Sequence, residues 1–208
     1  AGIIITASHN PKDWNALKFF DGNGEILGAK SGGEILKIAE DRDFNYSSVD
    51  NLGKITCFDG MIERHVAKIL ELSLVNVKAI REKGYKVILD AVNSTGGIAV
   101  PILLDALGVE VVNLYCEPTG LFPHNPEPLK EHLSVLSQHV VKEKADFGIV
   151  VDPDVDRLAF VDETGEMFGE EYTLVSCADY VLTHTPGSTV SNLSSTRALA
   201  DITRSKGG

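Results

Sequence analysis

The sequence predicts an α/β fold of mixed, mainly parallel sheets with helices on both faces. Three observations carry this. Short apolar runs at 85–91, 109–114 and 147–151 alternate with longer helical patterns at 98–107 and 129–144, and strand–helix–strand alternation builds a parallel or mixed sheet. The apolar runs lack polar alternation, as strands covered on both faces do. The chain has 208 residues, 43% hydrophobic and 24% charged, enough for one large globular domain or two modest ones.

The elements follow in order. Gly2-Ile3-Ile4-Ile5-Thr6 reads as a buried strand. Asn23-Gly24 is a turn signal between strands at 17–20 and 25–27. A short helix is expected over 32–41 and a polar loop over 44–53. Ile62, Val66, Ile69 and Leu70 stripe a helix over 61–72, and a second helix over 75–83 stops at Gly84. Strand 85–91 and helix 98–107, ended by Gly108, come next. Strand 109–114, a Pro-rich connection over 121–128, helix 129–144 and strand 147–151 follow. Runs at 158–161 and 166–168 form a hairpin around Glu163-Thr164-Gly165, and a helix spans 171–183. Pro186-Gly187-Ser188 reads as a linker, 189–193 as a strand and 195–204 as a helical start. A strand as apolar as 2–5 needs neighbours on both edges, so the chain is expected to be an excerpt of a longer protein.

Charge narrows the function. The net charge is −11, from 19 basic and 30 acidic residues, the wrong balance for holding a phosphate backbone, so nucleic-acid binding is not expected. Eight acids and one base crowd residues 150–172, the mark of a solvated loop or a cation site. No stretch approaches the about 18 apolar residues of a membrane span. Cys57, Cys116 and Cys177 are odd in number and far apart, which suggests reduced thiols in a cytoplasmic protein. His132 and His139 are two helical turns apart, roughly 10 Å, too far to share one metal.

The most specific local feature is Asp152-Pro153-Asp154-Val155-Asp156-Arg157, directly after strand 147–151. In an extended chain, alternate residues point to one side, so the three carboxylates are expected to face one another. Their repulsion needs a cation, and an all-oxygen set suits Mg²⁺ or Mn²⁺. The bland reading is an acidic surface loop. An EF-hand fails, because its sixth position must be Gly and Arg157 stands there. A haloacid-dehalogenase-like phosphatase, with Asp152 as nucleophile and Asp154 as acid/base, remains an alternative, although Asp156 departs from the Thr or Val expected two residues on. Strand ends of open α/β sheets are where ligands bind.

A second feature, Thr6-Ala7-Ser8-His9-Asn10-Pro11, follows strand 2–5. Ser8 in a tight turn is exposed as a nucleophile must be; a plain turn with a hydroxyl cap is the competing reading. No Gly-x-Ser-x-Gly elbow is present. A phosphate on Ser8 would add up to two negative charges and three acceptor oxygens, one of which would complete the coordination of a cation on the three aspartates. Arg157 and Lys18 would then supply fixed positive charge. Asn93-Ser94-Thr95-Gly96-Gly97 lacks the Walker and Rossmann fingerprints and reads as a helix start with glycines for close packing. Pro123-His124-Asn125-Pro126 reads as a stiff turn.

The hexapeptide 6–11, with Asn15 and Lys18 after it, resembles the phosphoserine loop of the α-D-phosphohexomutases, the phosphoglucomutase and phosphomannomutase superfamily. The Asp152-x-Asp154-x-Asp156-Arg157 run resembles that family's metal loop, and the roughly 145 residues between the motifs match its usual separation. The resemblance spans essentially the whole chain. It implies a four-domain enzyme of repeated α/β domains with an active site between them. Residues 1–73 would be the back of domain 1, 74–185 domain 2, and 186–208 the beginning of domain 3. It also implies an isomerase that moves phosphate between the 1 and 6 positions of a hexose through a phosphoserine and a hexose 1,6-bisphosphate. By the same comparison Ser8 carries the phosphoryl group and Asp152, Asp154 and Asp156 hold Mg²⁺, with Ser8 contributing a further ligand. Arg157 steadies the phosphoserine, Lys18 is the general acid/base, and His9 is a second candidate for proton handling or a loop-shaping residue. A small hexose phosphate is the expected partner, and a non-catalytic sugar-phosphate or cation-binding module is the reading from outside the enzymes. Pro153 and Val155 replace the two glycines many members carry, and this chain alone is expected to have no mutase activity.

Overall fold

The structure is a computed structural model and describes residues 1–169 and 171–208. The chain forms two compact units, one of residues 1–7 and 14–61 and one of residues 8–13 and 62–208.

In the first unit β1 (Gly2–Ile5) pairs antiparallel with β2 (Leu17–Phe20). The expected turn at Asn23-Gly24 forms: Asp21 Oδ1 accepts the backbone N–H groups of Asn23 and Glu25, Gly24 adopts φ 83°, and Phe20 bridges Ile26. Helix α1 (Ala29–Asp41) starts before the expected 32, because Gly32 and Gly33 weaken a helix without breaking it. The expectation of a buried first strand is corrected. Ile3, Ile4 and Ile5 are exposed, because β2 is the only strand paired with β1 among the described residues.

The second unit contains α2 (Met61–Leu70) and α3 (Val77–Lys83), which ends at Gly84 in the left-handed region. β3 (Lys86–Asp90), α4 (Gly96–Ala106), β4 (Glu110–Leu114), α5 (Ser134–Glu143), β5 (Phe147–Val151) and β6 (Leu158–Asp162) then build its sheet. The strand order is β4-β3-β5-β6, with β3 parallel to both β4 and β5, and β6 antiparallel to β5. The sheet is therefore mixed and mainly parallel, as expected.

Helices cover both of its faces. Ile88, Val150 and Val161 pack against Leu136 and Val140 of α5, while Val87, Leu89 and Val151 pack with Leu104 of α4. Burying each such aliphatic side chain contributes roughly 1.5–3 kcal/mol, which makes the two central strands the rigid base of the loops at their carboxyl ends.

The glycines at the start of α4 serve close packing. A Cβ on Gly97 would lie 2.0 Å from the Cys116 carbonyl oxygen, and one on Gly96 would lie 2.5 Å from Val151 Cγ2. Gly97→Ala meets backbone rather than a flexible side chain, so it is expected to destabilise the unit by about 3 kcal/mol, read as a lowered urea midpoint.

Beyond β6, Val161 bridges Met167, and α6 (Tyr172–His184) and α7 (Arg197–Ser205) follow. The expected strand at 189–193 does not form. Asn192 Oδ1 instead accepts hydrogen bonds from Ser194 N–H and from the Ser194 and Ser195 hydroxyls, and this local turn chemistry displaces strand pairing. Thr196 then caps α7 through its hydroxyl.

Candidate active site

The sheet order sets the location. β3 and β5 are neighbouring parallel strands at the centre of the sheet, and open α/β sheets place ligands at the carboxyl ends of such strands.

The loop after β5 carries the acidic run. Asp152 is fully buried, and its Oδ1 accepts the backbone N–H groups of Asp156 and Arg157, both at 3.0 Å. Val155 N–H donates to the Asp152 carbonyl at 3.1 Å, and Val155 sits at φ 62°. The expected extended alternation is thus corrected: the chain turns here. The aspartates converge because Asp152 folds the loop around its own carboxylate. One oxygen from each of Asp152, Asp154 and Asp156 lies within 4.8 Å of the others. Val155 occupies a left-handed conformation that favours glycine, which gives a physical reason for glycine at that spacer in the pattern the loop resembles.

The electrostatics of the cluster suit a cation. Asp152 Oδ2 is buried with no hydrogen-bond donor among the described residues. Burial pushes the Asp152 carboxyl up to about 6; the Arg157 backbone N–H pulls it down, and the charges of Asp154 and Asp156 add to the rise. A buried carboxylate oxygen among like charges, in an all-oxygen donor set, fits a hard divalent cation.

The loop after β3 braces this turn. Ser94 and Thr95 both donate their hydroxyls to the Pro153 carbonyl, at 2.9 and 2.7 Å. His124 holds a third loop to the end of β3: its Nε2 donates to the buried Asp90 Oδ2 at 2.9 Å and its Nδ1 to the Asn125 carbonyl at 2.8 Å. Burial alone would lower the His124 pKa, but Asp90 and the Asn125 carbonyl outweigh it and raise it above the ordinary 6.5. His124 is therefore a loop anchor, in line with the stiff turn expected there.

Ser8 and His9 belong to this same unit. Ser8 adopts φ 53°, and its Oγ lies 3.1 Å from His9 Nδ1. His9 Nε2 faces Glu127 Oε1 at 3.9 Å, and the same Glu127 oxygen accepts from Arg157 Nη1 at 2.7 Å. The serine turn and the end of the acidic loop therefore meet through one carboxylate. Lys18 lies on β2 of the first unit, opposite Ile4, among Leu17, Phe19 and Ile26.

Glu127, Ser94 and Thr95 were not singled out individually by the sequence reading. An acid set between two prolines, at Pro126-Glu127-Pro128, was the available signal for the first. For the two hydroxyls, the signal was their place on a strand-to-helix turn.

Comparison with known proteins agrees with this architecture. Residues 63–165 match the phosphoglucomutase/phosphomannomutase alpha/beta/alpha domain II, and residues 1–46 match domain I. A protein described as a probable phosphoglucosamine mutase from Methanopyrus kandleri is 32% identical over all of this chain. A phosphoglucomutase/phosphomannomutase from Thermococcus kodakarensis is 33% identical over 99% of it. The chain spans 45% of the length of each of these relatives. A solved phosphoglucomutase/phosphomannomutase family protein from Burkholderia thailandensis superposes with a TM-score of 0.83 at 30% identity, over 99% of this chain and 43% of that one.

Proposed function

Because the chain belongs to the phosphoglucomutase/phosphomannomutase family, we propose that it carries the phosphoryl-transfer centre of an intramolecular phosphotransferase interconverting hexose 1-phosphate and hexose 6-phosphate. The observation that supports this most is the meeting of two loops in one compact unit. The Ser8-His9 turn and the acidic loop 152–157 share Glu127 as a common partner. In this reading the hexose phosphate is a small-molecule partner, the setting is cytoplasmic, and the domains of the whole enzyme divide at 73 and 185.

In this reading Asp152, Asp154 and Asp156 hold Mg²⁺, with an oxygen of phosphorylated Ser8 as a further ligand. When bound, the ion would supply positive charge that neutralises the phosphoryl oxygens during transfer.

Loading Ser8 forms an Oγ–P bond and breaks the bond from phosphorus to a sugar oxygen. The Ser8 proton passes to His9 Nδ1, and the departing sugar oxygen takes a proton from the Lys18 ammonium. The return step reverses each transfer: a sugar hydroxyl attacks, Lys18 takes its proton, and His9 reprotonates Oγ. Arg157 steadies the serine phosphate. An aspartate-nucleophile phosphatase is not favoured, because Asp152 is fully buried with Oδ1 committed to two backbone N–H groups.

Phosphopeptide mapping tests the reading, on this chain extended to the full length of its relatives and incubated with glucose 1,6-bisphosphate and Mg²⁺. Phosphate is expected on Ser8. An acid-labile phosphate on Asp152 would instead establish the phosphatase, and no phosphate on either would leave a binding module.

A further inference from the structure

We propose that Glu127 is a positioning residue for the serine turn: it holds the His9 ring with Nε2–H outward, so that Nδ1 accepts from the Ser8 hydroxyl, and it anchors Arg157 with the same oxygen. The role rests on the phosphoserine reading for its purpose, though not for its geometry.

Glu127, a carboxylate that is one-third exposed, sits on a conformationally restricted stretch of backbone. Its neighbours Pro126 and Pro128 are both buried, so its backbone has two fixed φ angles beside it. Its own N–H donates to Asn125 Oδ1 at 3.0 Å. One residue further back, His124 is tied to the buried Asp90 at the end of β3. The carboxylate is thus mounted on the sheet through a short, stiff loop.

From there Oε1 takes a charge-assisted hydrogen bond of 2.7 Å from Arg157 Nη1 and stands 3.9 Å from His9 Nε2. The second distance is longer than a hydrogen bond, and such contacts tighten when a site is loaded. An anion facing Nε2 favours the N–H at that nitrogen and leaves Nδ1 as the acceptor. Nδ1 is the atom 3.1 Å from Ser8 Oγ. The direction of the Ser8 hydroxyl proton is therefore set through His9, by the carboxylate that faces the other side of its ring. Because one oxygen serves both His9 and Arg157, the serine turn and the acidic loop keep a common register.

The experiment is ¹⁵N-histidine NMR on this chain at alkaline pH, with neither sugar nor metal present. The expected result is a His9 with its proton on Nε2 and slowed solvent exchange there. Glu127→Ala is expected to speed that exchange by about tenfold or more, and Glu127→Asp to restore much of the protection. Glu127→Gln, which keeps the side-chain volume, repeats the comparison should the alanine variant not fold. A proton on Nδ1 in the unsubstituted chain, or Nε2–H exchange unaffected by loss of the carboxylate, overturns the proposal. The outcome is separate from that of the phosphopeptide map: an enzyme that places no phosphate on Ser8 refutes the phosphoserine reading, while the exchange data still decide whether Glu127 orients His9.

Discussion

Asp152→Asn is expected to lower the Mg²⁺ affinity of this chain by about 1000-fold, measured by titration calorimetry, while leaving the fold intact. The amide keeps an oxygen for the N–H groups of Asp156 and Arg157, so the turn survives. It removes the charge of the fully buried member of the three clustered carboxylates, and a hard cation depends on that charge. The unsubstituted protein should show a matching pH dependence. The Asp152 carboxyl, pushed up to about 6 from an ordinary 3.8, binds its proton more tightly folded than unfolded. Without metal, the stability this group contributes is present below pH 3.8 and is lost as pH rises through about 6. Metal binding has the opposite sign, because the ion must displace that proton. Affinity is expected to climb close to tenfold per pH unit up to about 6 and then level off. At a Mg²⁺ concentration 100 times Kd, the ion should add about 2.7 kcal/mol to unfolding stability. Asp152→Asn should flatten both responses, and an unchanged profile in that variant would remove Asp152 from the cation site.

Ser8→Ala is expected to abolish hexose phosphate interconversion in a protein of the relatives' full length, by about 10⁴-fold or more in kcat, with little change in stability or in Mg²⁺ affinity relative to the unphosphorylated protein. The oxygen removed is the atom that accepts and returns the phosphoryl group in the proposed cycle, and a missing nucleophile has no local substitute. His9 would lose a hydrogen-bond partner, but its contact with Glu127 and the Glu127–Arg157 pair do not pass through Ser8. The acidic loop is built from Asp152 outward, so its cation affinity should persist. The contrast between the two variants is diagnostic, since one loses the ion and the other loses the phosphate. Retained turnover in Ser8→Ala would eliminate the phosphoserine cycle.

Much of this was legible along the chain. The three parallel strands, the helices between them and the two glycines of α4 are local or periodic signals, set by continuous apolar runs and by the space a Cβ would occupy. Asp152, Asp154, Asp156, Ser8 and His9 stood out for the same reason, since each is defined by its immediate neighbours.

The sequence by itself determined the alternation of strand and helix, the mixed parallel sheet and the chemical types gathered at its loops, because these depend on side-chain size, periodicity and charge over a few residues. The tertiary structure alone decided how they converge. Extended alternation gave way to a turn with Val155 at φ 62°, because hydrogen bonds to Asp152 outweighed the strand geometry that the spacing suggested. The isoleucines of β1 are apolar yet exposed, because burial depends on which strands pair. Glu127 acquires its role only through Arg157, thirty residues away, and through His9 on a distant loop. Contacts of that range leave no period in a sequence; they arise when the sheet brings the ends of its strands together.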